Sequence, residues 1–144
     1  MNAPDVKYVA TSTGTGGKTI EQLSKHCTNG YLYNDFKYAM FYGAKISREL
    51  NSVISCPAII WMQGEYNYTS DSEKGLTPGV PNTTDKNEYK ALLYKLKNDI
   101  QQDVINSYAQ NEKPLFITYQ TGAQYTRGKT LEIGMAQLET ANEN

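Results

Sequence analysis

The sequence predicts an α/β fold in which a parallel sheet is covered by helices. Short apolar runs at residues 6–10, 58–61 and 115–119 have the composition of strands, and amphipathic helical patterns lie between them. A polar or glycine-rich segment follows each run. Strands that alternate with helices indicate parallel pairing, with layers of helices on the sheet. We therefore expect residues 1–144 to form one domain or part of one.

The first strand-like run is followed by a glycine loop and a short helix. Residues 6–10 alternate weakly between apolar and polar side chains, and residues 11–17 are rich in Gly, Ser and Thr. Thr19 can cap the helix that follows, with Gln22 completing a capping box. Two apolar residues of this helix are expected to face the core: Ile20 and Leu23. The predicted order is strand, loop, helix.

A second helix is predicted at residues 34–54, where apolar side chains recur at intervals of three and four. The residues of this stripe are Phe36, Met40, Ala44, Ile46, Leu50 and Val53. Pro57 ends the segment, and residues 58–61 are apolar without interruption. An unbroken apolar run is typical of a strand that is covered on both faces, so we expect the central strand here.

Residues 66–85 form a polar segment longer than the usual connection within a compact domain, and such loops are usually either functional or disordered. Asp85 and Glu88 then start the clearest helix of the chain. Its apolar stripe consists of Tyr89, Leu92, Leu93, Leu96, Ile100 and Val104. A strand at residues 115–119 and a last helix at residues 129–140 follow. One face of this last helix carries Leu131, Met135 and Leu138.

Charge and hydropathy exclude several classes of function. The 14 basic and 15 acidic side chains nearly cancel to a net charge of -1, and they are dispersed along the chain. Neither nucleic acid nor an anionic membrane is therefore an expected partner. No apolar run approaches the roughly 20 residues needed to span a bilayer, and residues 1–7 lack the basic and apolar parts of a signal peptide.

The cysteine and histidine residues predict neither a metal site nor a cofactor. Cys27 and Cys56 have no metal-ligand spacing with His26, the only histidine. The two cysteines could form one disulfide, but two independent, partly buried thiols are the favoured interpretation. His26 lies near the expected end of a short helix, where an imidazole commonly caps carbonyl groups, and we expect that role rather than a catalytic one.

The sharpest candidate for a functional segment is residues 61–65, Trp-Met-Gln-Gly-Glu. An apolar strand here runs into a side-chain amide, a glycine and a carboxylate within three residues. In parallel α/β sheets, ligands bind beyond the carboxyl ends of the strands. The same rule draws attention to residues 11–19 and 120–127, which follow the other two strands.

These segments resemble the SGNH hydrolases, specifically the branch of sialate O-acetylesterases and acetylxylan esterases. Members of that branch carry a tryptophan, one variable residue and Gln-Gly-Glu at the end of a central strand, as residues 60–65 do. Residues 16–21, Gly-Gly-Lys-Thr-Ile-Glu, resemble a second family segment at a helix start. A strand that ends in Gln120 and an Ala-Gln pair at 136–137 resemble two more. The four features occur in the family's order.

The resemblance implies a three-layer α/β/α fold of the flavodoxin type and a serine-type carbohydrate O-acetylesterase that needs no cofactor. In this family a serine attacks the acetyl carbonyl, a histidine supported by an acid moves the proton, and an oxyanion hole holds the negative charge. By the same resemblance, Gly17 lends a backbone N–H and Gln63 a side-chain NH₂ to that hole. Glu65 is expected to orient neighbouring loops. The expected substrate is an acetylated carbohydrate, and an exported or surface-associated parent protein is compatible with it.

The sequence also departs from the family pattern. It contains neither the Gly-Gln-Ser-Asn segment of the nucleophile nor the Asp-x-x-His segment of the acid and the histidine. Tyr66, Asn67 and Tyr68 stand where the family has a small or acidic residue. We therefore expect a partial domain without the first strand and the last segment of the fold, whose catalytic activity depends on a longer parent protein.

Two other functions fit parts of the sequence. A catalytically inactive module of the same fold could bind glycans through residues 66–85 and its tyrosines. Residues 12–19, Ser-Thr-Gly-Thr-Gly-Gly-Lys-Thr, are close to the phosphate-binding pattern G-x-x-x-x-G-K-[ST], with Ser12 in place of the first glycine. No apolar strand ends in the aspartate that helps to hold magnesium, which makes nucleotide binding the weakest of the three hypotheses.

Overall fold

The computed structural model describes residues 6–27, 30–68, 82–122 and 130–143. Helices and strands follow one another in these ranges in the order α1 (Ile20–Leu23), α2 (Tyr31–Glu49), β1 (Ala58–Trp61), a 3₁₀ helix (Glu65–Tyr68), α3 (Lys86–Tyr108), β2 (Leu115–Thr118) and α4 (Glu132–Asn142). Helices combined with a parallel sheet confirm the predicted α/β class. The flavodoxin-type arrangement remains a prediction.

Both strands of the described sheet lie where the sequence predicts them. Strand β1 pairs with β2 in parallel, with Ala58 opposite Leu115 and Trp61 opposite Thr118. The pairing brings the carboxyl ends of the two strands to one edge of the sheet, which is the edge where α/β proteins bind ligands.

The two faces of this sheet have different surroundings. Ile59, Trp61 and Phe116 point to one face and pack against the buried core. On the other face, Ile60 is 71% exposed and Leu115 is 63% exposed. The expectation that residues 58–61 are covered on both faces is therefore wrong within the described residues. The reason is that all four described helices contribute to the core on the first face only.

Helix α3 is the centre of that core. Its N-cap Asp85 accepts a hydrogen bond from the Glu88 backbone N–H at 2.8 Å, as the sequence predicts. The predicted apolar stripe is buried along the helix, with Leu92 partly covered: Tyr89, Leu93, Leu96, Ile100 and Val104. Helices α1, α2 and α4 all contact α3. The long regular stripe thus supplies the surface on which the other helices pack.

Helix α1 also agrees with its prediction. Thr19 accepts from the Gln22 backbone N–H at 3.3 Å, and the Gln22 side chain accepts from the Thr19 N–H at 3.0 Å, which completes the capping box. Ile20 is fully buried and Leu23 is half-buried.

Helix α2 begins and ends earlier than predicted. It ends at Glu49, because Asn51 adopts a left-handed backbone conformation with φ of 50° that cannot continue a right-handed helix. Met40 is buried as expected, but the later members of the predicted stripe are exposed: Ile46, Leu50 and Val53. Helical spacing is therefore present in this segment, but no described residues cover the side chains at its end.

Helix α4 turns the opposite way from its predicted apolar face. The predicted residues are all at least 39% exposed: Leu131, Met135 and Leu138. The buried residues are Ile133, Gly134, Ala136, Gln137 and Thr140. Both sets have helical spacing, so contact with α3 and the 3₁₀ helix decides which set faces inward. Lys86 and Lys90 of α3 form ion pairs with Glu139 and Glu143 across this contact.

Residues 6–10 do not form a strand. Their side chains are exposed, with Tyr8 at 88% and Val9 at 91%. Within the described residues, the sheet consists of β1 and β2, and residues 6–10 pair with neither strand. The predicted long loop at 66–85 begins as a 3₁₀ helix, and residues 69–81 lie outside the described residues. None of the described helices combines the length and the apolar character that crossing a membrane requires.

Candidate active site

The glycine loop before α1 meets the end of β1 at Gln63. The Gln63 side chain is buried, and its Nε2 donates to the Lys18 carbonyl oxygen at 3.1 Å. These residues are 45 positions apart in the chain. The structure therefore brings together the two segments that the sequence predicts to act together.

The Gln63 amide is fully engaged with other protein groups. Its second Nε2 hydrogen goes to Asn67 Oδ1 at 2.7 Å, and its Oε1 accepts from the Tyr89 hydroxyl at 2.8 Å. Burial raises the pKa of Tyr89 well above its ordinary value, so this hydroxyl remains neutral and able to donate. Gln63 holds the glycine loop in this state and donates to a ligand only if one of its two acceptors gives way.

Gly17, the other predicted oxyanion-hole residue, lies on the exposed side of the same contact. Its φ of 65° is in the left-handed region, which glycine adopts without strain. A Cβ atom at Gly17 would lie 3.5 Å from the Tyr66 ring, which follows the end of β1. No group in the described ranges accepts its backbone N–H. Gly17 thus presents a donor beside an aromatic ring at the carboxyl edge of the sheet.

Gly64 allows the chain to pass between two close neighbours as it leaves β1. Its φ is 154°, and a Cβ atom there would lie 2.9 Å from Gln137 Nε2 and 3.0 Å from Thr121 Cγ2. Gln137 is itself buried, donates to the Gln63 carbonyl at 2.6 Å and accepts from the Thr121 N–H at 2.7 Å. One amide of α4 therefore ties the ends of both strands together.

Glu65 makes a second link between the two strand ends. Its carboxylate accepts a hydrogen bond from the hydroxyl of Tyr119, the residue after β2. Partial burial, together with this carboxylate, raises the pKa of Tyr119 to about 12. Glu65 thus contacts a neighbouring segment as an orienting residue would. Its expected supporting role in catalysis stays a prediction.

Sequence reasoning missed three residues of this network. Tyr89 is read as one more apolar residue of the α3 stripe, and Asn67 is noticed only as a departure from the family pattern. Gln137 enters only as part of a family pair, without a role. The available signal is a polar atom at an inward position, since a buried amide or hydroxyl needs a hydrogen-bond partner.

The residues with metal or nucleophile chemistry lie apart from this network. His26 Nε2 lies 3.5 Å from Asp99 Oδ2, and the expected capping of helix carbonyls is not seen within the described ranges. Cys27 and Cys56 are both free and half-buried, which confirms two independent thiols. The described part of the chain contains no group of three His, Cys, Asp or Glu side chains suited to a metal ion.

The start of α1, which follows residues 12–19, is not arranged to bind a phosphate. Thr19 is fully buried and caps α1, which has only four residues. The Ile20 N–H donates to Asn67 Oδ1 and the Gln22 N–H donates to Thr19 Oγ1. A phosphate at a helix N-terminus needs such N–H groups free to point at it.

Comparison of the chain with known protein families, with characterised proteins and with solved structures finds no match.

Proposed function

We propose that this chain carries the oxyanion-hole part of a serine-type carbohydrate O-acetylesterase. The observation that supports the proposal is the contact between the glycine loop and the end of β1, where Gln63 donates to the Lys18 carbonyl. This contact holds the exposed N–H of Gly17 beside the carboxyl edge of a parallel sheet. A backbone donor fixed there suits the negative oxygen of a tetrahedral intermediate.

In the proposed reaction, a serine hydroxyl attacks the acetyl carbonyl and loses its proton to the histidine. The sugar oxygen then leaves and takes up this proton. Water then cleaves the acyl-serine and releases acetate. Gly17 donates to the carbonyl oxygen in both steps, and Gln63 fixes the loop that carries Gly17. The reaction also needs a serine nucleophile and an acid–histidine pair, whose family segments do not occur in residues 1–144.

The test is acetate release by the full-length natural protein with Gln63→Ala. Without Gln63 the Gly17 N–H is no longer held in place, and because loss of one oxyanion-hole donor typically lowers the rate by about 10²–10³, kcat is expected to fall by up to this factor with little change in KM. Gln102→Ala is the matched control, because Gln102 is exposed on α3 and its amide donates to Asn106, one turn further along the same helix. Circular dichroism checks that both variants fold.

Two results would contradict the proposal. Unchanged acetate release after Gln63→Ala would remove Gln63 from the reaction. The proposal places no nucleophilic serine within residues 1–144. Specific labelling of a serine in this range by a fluorophosphonate would therefore contradict it.

A catalytically inactive glycan-binding module is the second candidate. The observation that favours it is that both amide hydrogens of Gln63 already have protein acceptors, so the side chain is arranged for structure. Binding of acetylated and deacetylated glycans by the natural protein, without acetate release, would support this alternative over the esterase.

A further inference from the structure

We infer that Asn67 is a positioning residue that fixes the glycine loop of Gly17 against the end of β1. The inference rests on the proposed function, because the loop matters for catalysis only if Gly17 binds the oxyanion. Asn67 is noted in the sequence only because it differs from the family pattern, and the structure gives it a role.

Asn67 joins three separate parts of the chain. It is fully buried, and its Oδ1 accepts from the Gln63 amide at 2.7 Å and from the Ile20 N–H at 3.1 Å. Its Nδ2 donates to Glu21 Oε2 at 3.1 Å and to the Thr83 carbonyl at 3.0 Å. These four contacts use both hydrogens and both lone-pair directions of the amide.

The contacts converge on the residues directly after Gly17. Asn67 holds Ile20, the first residue of α1, and it orients Gln63, which holds the Lys18 carbonyl. The chain is therefore fixed one and three residues beyond Gly17. With two nearby anchors, the direction of the Gly17 N–H follows from the position of Asn67.

The chemistry of this position requires an amide. A carboxyl group at Asn67 would face the Glu21 carboxylate at hydrogen-bond distance, and two such groups cannot both ionise there. Glu21 already accepts from the Thr83 N–H, and Thr83 donates its hydroxyl to Glu88. Glu88 is thus a further carboxylate linked to this network, and Tyr89, which donates to Gln63, is kept neutral by burial.

Asn67→Asp is therefore expected to make the loop sensitive to pH. At low pH, a proton shared with Glu21 replaces the missing amide donor and keeps the loop in place. As pH rises and this proton is lost, repulsion between the carboxylates opens the contact. Asn98→Asp, at an exposed position of α3, is the control with the same change of charge.

The experiment measures amide protons by NMR in this chain between pH 5 and pH 8. In Asn67→Asp, protection of the Ile20 N–H is expected to fall at least about tenfold relative to wild type as pH rises, and the Gly17 resonance is expected to shift. Asn98→Asp should follow wild type at every pH. Protection and shifts equal to wild type at all pH values would overturn the positioning role.

The double variant Glu21→Gln with Asn67→Asp tests the same contact if the single variant fails to fold. It exchanges the amide and the carboxylate, so a donor again faces an acceptor, and protection of Ile20 should recover in part and lose its pH dependence. A double variant that is as disturbed as the single one, with the same pH dependence, would contradict the inference.

Acetate release by the full-length protein separates this inference from the proposed function. If both hold, kcat of Asn67→Asp relative to wild type falls by about 10²–10³ toward high pH at nearly constant KM. If the NMR changes occur but the wild-type protein releases no acetate, Asn67 positions the loop and the esterase proposal fails. If acetate is released normally while the loop moves, Asn67 has no part in catalysis.

Discussion

The two faces of the sheet consist of similar side chains but have different surroundings. Ile59 and Phe116 on one face pack against the core, whereas Ile60 and Leu115 on the other are mostly exposed. Parallel sheets are usually covered on both faces. An unbroken apolar strand therefore has two faces that could be buried, but the rest of the structure decides whether helices cover one of them or both.

The largest expected effect is a difference in stability loss between substitutions of two adjacent isoleucines of β1. Ile59→Ala removes a side chain that packs on the core and is expected to lower the free energy of unfolding by about 2–3 kcal/mol. Ile60→Ala removes a side chain that is 71% exposed and should change it by less than about 0.5 kcal/mol. Urea denaturation measures both free energies of unfolding. Because both variants replace Ile by Ala in the same strand, the change in strand propensity is the same and cancels when the two are compared. Equal losses would mean that the second face is covered in solution.

A smaller effect is expected where α4 closes the covered side. Gly134→Ala would normally favour a helix, but its Cβ atom would lie 2.7 Å from the Thr121 backbone oxygen. The variant is therefore expected to lose about 1–2 kcal/mol of stability through overpacking. Met135→Ala, on the outward side of the same helix, is the control. A thermal melt in which Gly134→Ala is more stable than wild type would refute the close approach of α4 to the sheet.

The smallest effect is expected at the carboxyl ends of the strands, for the pKa of Tyr119. Tyr119 is expected to titrate near pH 12, which can be followed by the chemical shift of its ring carbon. Glu65→Gln removes the nearby carboxylate and should lower this pKa part of the way toward 10, since burial, the larger cause, remains. Glu112→Gln, at an exposed position before β2, should leave it unchanged.

The same pKa has a consequence for stability with a definite sign. Because the pKa of Tyr119 is higher in the folded than in the unfolded chain, its contribution is fully present below pH 10 and is lost as pH rises through about 12. The measurement is the free energy of unfolding between pH 10 and about 12, in wild type and in Glu65→Gln. If the wild-type value rises with pH relative to that of the variant, the link between Tyr119 and Glu65 is contradicted.

Predictions based on neighbours in sequence agree well with the structure. The cap at Asp85, the capping box at Thr19 and the apolar stripe of α3 involve residues three or four positions apart, so their geometry follows from the helix itself. The contact between the glycine loop and the end of β1 also agrees with expectation, although no strand precedes the loop within the described residues and the contact is made by the Gln63 side chain.

Predictions that need a partner surface failed more often. Residues 6–10 have strand composition but no neighbouring strand in the described ranges, and α4 buries Ile133 and Ala136 instead of the stripe that includes Leu138. A sequence pattern gives the spacing of apolar side chains. It does not state which of two equally spaced sets meets a neighbour.

The sequence by itself determined the α/β class, the parallel order of β1 and β2, and the candidate segments around Gly17 and Gln63. Only the tertiary structure decided which groups the Gln63 amide binds, and that Asn67 and Gln137 complete its surroundings. The two kinds of feature differ in how far apart the interacting residues lie in the sequence. Caps and stripes arise from bonds within one helix, whereas the buried amides of Asn67 and Gln137 also bind groups that are 46 and 74 residues away in the chain, whose approach depends on how the helices pack.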